Sequence, residues 1–279
     1  MAGAAPRLDE LRAEIDGLDE RIQELLERRT ELAERVSALK REAGELTLFM
    51  RPGREAAVVR QVLARHRGAF PKAALFRIWR EIISGTLTLE GPLSLALEAG
   101  PAGCSELARL TSDHFGSSAP LGRCENAHAV IEALDGGTAN VGIVAFPRPG
   151  ERDPWWARLA KRSPAPIEVV ALLPFLERTP SPRRRALVLA RTAFDESGDD
   201  LTVAALEVGE ALAPEAVGDA LAAAGFSAEV VADDGARRTL ALLQGFVAPE
   251  DARFGALRAG AVVQRLSLLG GFARPIVEG

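Results

Sequence analysis

Between Leu8 and Leu39 apolar residues recur at Leu8, Leu11, Ile15, Leu18, Ile22, Leu25, Leu32, Val36 and Leu39. The steps alternate between three and four residues, the signature of a heptad seam on one long helix. The series is broken at position 29, which holds arginine. An unpaired guanidinium is costly to bury in a helix interface, so an anion is expected to meet Arg29. Lys40 follows eleven residues later, which puts it on the same face roughly 16 Å along the axis. Arg12 lies seventeen residues before Arg29, rotated by roughly 100° and displaced by about 25 Å. One small ligand on a straight helix cannot touch both arginines. If they serve one kind of site, an antiparallel neighbour brings the second, which points to a homodimer.

A third segment, opening at Pro71, repeats the pattern with Leu75, Ile78, Trp79, Ile82 and Ile83. Its stripe continues into two polar residues, Thr86 and Glu90, one turn apart. Between the two long segments, Pro52-Gly53 reads as a turn. Arg54-Glu55 then opens a second helix with Val58, Val59, Val62 and Leu63.

Net charge is −5 over 279 residues, which indicates no general attraction to nucleic acid or membrane. Cys104 and Cys124 lack metal-ligand spacing and read as small buried residues of a reducing compartment. His66, His114 and His128 are scattered, and no zinc motif, phosphate loop or catalytic triad is visible. The basic run Arg183-Arg184-Arg185 follows a proline-rich linker and reads as a solvated hinge. No apolar run is long enough to span a bilayer, and no basic-then-apolar leader opens the chain, so a cytoplasmic protein is expected.

The residues Leu11-Arg12, Ile15-Asp16, Leu18-Asp19, Leu25-Leu26, Arg28-Arg29, Leu32-Ala33, Val36, Lys40, Arg54-Glu55 and Ile82-Ile83 resemble the all-helical chorismate mutases. The likeness is above all to the mutase part of the bifunctional chorismate mutase–prephenate dehydratases, and it covers about residues 8–92. It implies an intertwined three-helix dimer, no metal and no cofactor. It also implies site roles. Arg29, with Arg12 of the partner subunit, would clamp the carboxylates of chorismate. Lys40 and Glu90 would address its ether oxygen. Glu55 would hold the ring hydroxyl, with Arg54 and Thr86 lining the site. The family has glutamine where this chain has Glu90. A carboxylate repels the ether oxygen and a carboxylic acid donates to it, so Glu90 would act in its protonated form. Arg51 stands near a family aspartate, in a loop two residues longer, and is assigned no role.

Beyond Pro92 long helices give way to alternating elements. Strands are expected at Ser94–Glu98, Asn140–Phe146 and Ile167–Phe175, and helices at Cys104–Phe115 and Ala127–Leu134. Leu95–Gly103 and Asp135–Val144 resemble the first lobe of prephenate dehydratase. Arg184-Arg185-Ala186 stands where that family has Thr-Arg-Phe, so its catalytic threonine is missing and dehydratase activity is not expected.

The last eighty residues read as βαββαβ, with strands Leu201–Val208, Ser227–Ala232, Arg238–Phe246 and Val262–Leu269 and helices Pro214–Ala224 and Pro249–Leu257. Together with Leu269-Gly270-Gly271-Phe272 this resembles an ACT regulatory domain. Ser227-Ala228-Glu229-Val230-Val231 replaces the expected Glu-Ser-Arg-Pro motif, which puts an amino-acid effector and phenylalanine feedback in doubt.

The expected organisation is multidomain: an all-α mutase domain over residues 1–92, a reduced α/β dehydratase-like domain over 93–192 and an α+β ACT-like domain over 193–279. The expected activity is chorismate mutase, an isomerase of aromatic amino acid biosynthesis. A bifunctional mutase–dehydratase, an isochorismate–pyruvate lyase and a non-catalytic helical dimer carrying a sensor domain stay open as alternatives.

Overall fold

The computed structural model describes residues 7–44, 50–91, 93–100, 105–161, 167–178, 184–209, 213–260 and 262–278. The chain divides near residue 50 into two compact units.

The first unit is helix α1, Leu8–Glu42. Its amino end is held by the Glu10 carboxylate, which accepts from the Arg7 backbone N–H at 2.9 Å. It ends where Gly44 takes a positive φ of 79°. The heptad stripe lies open along its length, from 42% exposed at Leu11 to 69% at Leu25. A lone helix has nothing to bury such a stripe against, and contiguous exposed apolar surface of this kind marks an interface.

The second unit begins with helices α2, Pro52–Arg65, and α3, Lys72–Glu90. Pro52-Gly53 is not a turn, as the sequence suggests, but the first turn of α2. Proline suits that position because its missing N–H has no helical partner there. Gly53 is needed because a Cβ would run into the backbone carbonyl of Asp195, and its own N–H donates to Asp195 Oδ1 at 2.7 Å. Arg51, just ahead of the helix, pairs with the same carboxylate at 3.3 Å.

The buried face of α3 also differs from the expected stripe. It consists of Phe76, Arg80, Ile83, Ser84 and Leu87. Leu75, Trp79 and Ile82 are only half-buried and Ile78 is exposed, so the side of α3 that leads to Thr86 and Glu90 keeps apolar surface open.

The remaining elements are β1 Leu95–Glu98, α4 Ser105–Phe115, β2 Leu121–Cys124, α5 Ala127–Asp135, β3 Val141–Ala145, α6 Trp155–Ala160, β4 Glu168–Leu173, β5 Leu176–Arg178, β6 Ala186–Ala190, β7 Asp200–Val208, α7 Pro214–Ala223, β8 Ala228–Asp233, β9 Arg238–Gln244, α8 Arg253–Ala259, β10 Val263–Ala273 and β11 Ile276–Glu278. Among the described residues nine strands form one sheet in the order β2-β1-β3-β6-β4-β10-β7-β9-β8, and β11 pairs with β5 apart from it. β1 runs parallel to β2 and β3, whereas β6 is antiparallel to β3 and β4. From β10 to β8 every pair is antiparallel.

Among the described residues the halves join at a parallel pairing of Gly270 with Val169. Gly270 has φ +104°, and a Cβ there would strike the Val169 carbonyl. Only glycine allows so close an approach of two backbones in that conformation. α6 packs Trp155 and Trp156 into one core with residues from both halves, including Val144, Leu187, Val203 and Leu240. α7 and α8 cover the opposite face of the β7–β10 half through Val217, Leu221, Phe254 and Leu257.

Helix α8 starts at Arg253, later than the expected Pro249. Asp251 accepts from the Arg253 backbone N–H at 2.9 Å and pairs with its guanidinium at 2.7 Å. Those bonds hold the Asp251 carboxyl down to about 2. Cys124 is half-buried at the end of β2, and burial pushes its thiol up; Cys104 lies outside the described residues. Arg184 and Arg185 are not simply solvated: they meet Glu106 at 3.9 Å and Glu177 at 3.0 Å, while Arg183 lies outside the described residues. Among the described residues no helix is long and apolar enough to cross a membrane.

Candidate functional site

The candidate side chains fall on three helices. On α1, Arg12 sits in the second turn, largely exposed, 3.8 Å from Asp9. Arg29 is exposed within the apolar stripe, and Lys40 is half-buried in the last turn. The neighbouring Arg28 pairs with Glu31 at 2.6 Å.

On the second unit, Arg54 and Glu55 occupy the first turn of α2 and diverge. Arg54 is exposed. Glu55 turns inward, its side chain 12% exposed, and its Oε2 accepts from Arg80 Nη1 at 2.9 Å. A carboxylate in the first turn also meets the positive end of the helix dipole. Oε1 of Glu55 is buried and has no hydrogen-bond partner among the described residues. Thr86 and Glu90 lie one turn apart on α3, both half-buried. Thr86 Oγ1 donates back to the Ile82 carbonyl at 2.8 Å, and Glu90 is the last residue of the helix.

Arg29 and Lys40 lie eleven residues apart on α1, and Thr86 and Glu90 lie one turn apart on α3. The structure does not bring Arg12 to Arg29, because both belong to one continuous helix.

Arg80 escaped the sequence reading. It is 2% exposed and sits in the apolar face of α3. The signal that singles out Arg29, a cation where the helical period demands an apolar residue, is present at Arg80 as well. Arg80 Nε donates to the His114 carbonyl at 2.6 Å, at the carboxyl end of α4. That end of α4 is gripped by a row of α3 side chains. Arg77 pairs with Asp113 at 2.8 Å, Glu81 accepts from the Ser117 backbone N–H at 3.1 Å, and Ser84 Oγ donates to the Phe115 carbonyl. Helix ends leave their last carbonyls without helical partners, and Arg80 and Ser84 satisfy two of them here. The His114 ring is buried, and burial followed by the Arg80 charge pushes its pKa well below the usual 6.5, so it is neutral.

Comparison with known proteins adds a family. Residues 11–91 match the model of the family "Chorismate mutase type II". The bifunctional chorismate mutase/prephenate dehydratase of Pseudomonas aeruginosa is 34% identical over 144 residues, which are 50% of this chain and 38% of that protein. The protein of the same description from Aquifex aeolicus is 36% identical over 141 residues, 49% of this chain and 38% of its own length. The chain thus spans about two fifths of the curated relatives it matches. Among solved structures, the prephenate dehydratase of Arthrobacter aurescens in complex with L-Phe aligns with a TM-score of 0.42 at 15% identity, over 67% of this chain and 93% of that one. The helical stretch that holds every candidate side chain from Arg12 to Glu90 is the part of the chain that matches the type II chorismate mutase family.

Proposed function

We propose that the protein is a chorismate mutase that converts chorismate to prephenate by a Claisen rearrangement, acting as a homodimer through α1. The observation that carries this reading is the match of residues 11–91 to the family, joined to an α1 stripe that is apolar, exposed and interrupted by arginine at position 29.

The reaction is unimolecular and pericyclic. It needs no nucleophile and no cofactor. It needs a flexible dianion held in its reactive conformer, and donors aimed at the oxygen where charge grows as the C–O bond breaks. Arg29 and Arg12 of the partner subunit suit the planar carboxylates, which they can hold bidentately. Lys40 suits the point charge developing on the ether oxygen, with Glu90 donating beside it in its protonated form. Glu55 has Oε2 held by Arg80, and its Oε1 is buried without a hydrogen-bond partner among the described residues, an acceptor that suits a hydroxyl donor. Arg54 and Thr86 complete the lining.

For the second unit we propose a reduced dehydratase-like lobe joined to an ACT-like unit. The order β10-β7-β9-β8 with α7 and α8 on one face supports the latter. Assignment to the cytoplasm rests on sequence character alone.

The test is purified protein with chorismate and identification of the product. Prephenate is expected. Phenylpyruvate would reveal a dehydratase, and pyruvate from isochorismate a lyase. Absence of both turnover and binding of chorismate would leave a non-catalytic dimerisation module.

A further inference from the structure

Arg80 sits at a junction. Its Nη1 holds Oε2 of Glu55 at 2.9 Å, and its Nε donates to the His114 carbonyl at 2.6 Å. Two arms of one planar group are thereby spent on two different helices, α2 and α4. A guanidinium bonded along two directions cannot swivel, and neither can the carboxylate oxygen it holds. Glu55 and His114 also line the same cavity of about 20 Å3, with Met50, Phe115, Val170 and Leu172 around them. The Glu55 side chain is 12% exposed. The neighbouring imidazole is neutral, so it is Arg80 that balances the charge. The remaining oxygen, Oε1, is left buried with its lone pairs unfilled among the described residues.

We propose that Arg80 is a positioning residue for the mutase reaction. It fixes Glu55 through Oε2, which sets the position of the carboxylate offered to the substrate hydroxyl, and the carboxyl end of α4 sets its angle. The α/β part of the chain then tunes the helical site through one guanidinium. This rests on the reading of Glu55 as the residue that accepts the ring hydroxyl.

The test is steady-state kinetics on chorismate with the full chain, for the parent, R80M, E55Q, the double variant E55Q/R80M and R80K, each checked for helix content by circular dichroism. A hydroxyl contact is made in ground and transition state alike, so its loss appears mainly in KM. R80M is expected to raise KM about tenfold while kcat stays within about threefold. A general loss of folding would instead lower kcat at constant KM. In the E55Q background, R80M is expected to change KM no further, because its effect passes through Glu55.

R80K keeps the charge without the rigid two-armed plane, and is expected to raise KM severalfold. It carries the test if R80M does not fold. An R80M KM within twofold of the parent, an equal rise in both backgrounds, or a parental KM in R80K would each overturn the positioning role. An unchanged KM in E55Q would instead show that Glu55 does not hold the hydroxyl. A parent without turnover would remove the mutase reading itself and this proposal with it.

Discussion

Arg29, Lys40 and Arg80 are the same kind of event in the sequence, a cation near an apolar helix face, and they have different fates. Arg80 is buried and spent on Glu55 and α4. Arg29 is exposed on a stripe that still lacks a cover. Arg29→Ala and Lys40→Ala are each expected to lower kcat/KM on chorismate by about a hundredfold or more, the scale of losing one preorganised donor. Folded variants with parental rates would remove both residues from the site. Arg29 is legible in sequence because nine apolar residues frame it. Arg80 is not, because the face it occupies is rotated from the stripe that Leu75, Trp79 and Ile82 suggest. His114 carries a second prediction. Its folded pKa is depressed, so below pH 6.5 the unfolded chain binds a proton that the folded chain refuses. Its contribution to stability is fully present above 6.5 and is lost as pH falls from there toward the folded pKa, by up to about 1.4 kcal/mol per pH unit. Urea denaturation of the parent and His114→Gln between about pH 7 and pH 5 should show the variant losing less stability. Identical slopes would mean that His114 is protonated in the fold.

Among the elements, α1 offers the sharpest prediction. Leu18 lies in its stripe, 49% exposed in the single chain. Leu18→Glu puts a charge at each of two symmetry-related places in the proposed interface. Sedimentation should show loss of the dimer at micromolar concentration, with loss of chorismate turnover. A fully active dimeric variant would contradict the seam. Gly270 makes the matching case within the sheet. Gly270→Ala must adopt φ +104° and meet the Val169 carbonyl, so it is expected to cost about 2 kcal/mol or more, read as a lowered melting temperature. An unchanged melt would show that the junction of the half-sheets can relax. The elements legible in sequence are those with a strong period or a buried apolar run, such as α1, β3 and β4. β2 is hidden because Leu121, Gly122 and Arg123 are exposed at the sheet edge and carry no alternation. α6 is hidden because six residues are too short to display a helical period, even though Trp156 is fully buried. β6 is the plainest omission: its five buried residues Ala186–Ala190 read as a strand on composition alone.

At the scale of the molecule, one chain presents two kinds of surface. The second unit is closed around its sheet, with cores on both faces of the β7–β10 half. α1 carries its apolar stripe uncovered and holds Arg12 and Arg29 too far apart for one small dianion. In the proposed dimer a second copy running antiparallel would resolve both at once, by covering the stripe and supplying Arg12 to the site of Arg29. Mixing inactive Arg12→Ala and inactive Arg29→Ala proteins under conditions of subunit exchange tests this most directly. Half the dimers are then mixed, and each mixed dimer has one site with both arginines, so about a quarter of the parental chorismate mutase activity should return. No recovery, with exchange demonstrated by mixed dimers carrying two different tags, would contradict a mutase site built from two chains.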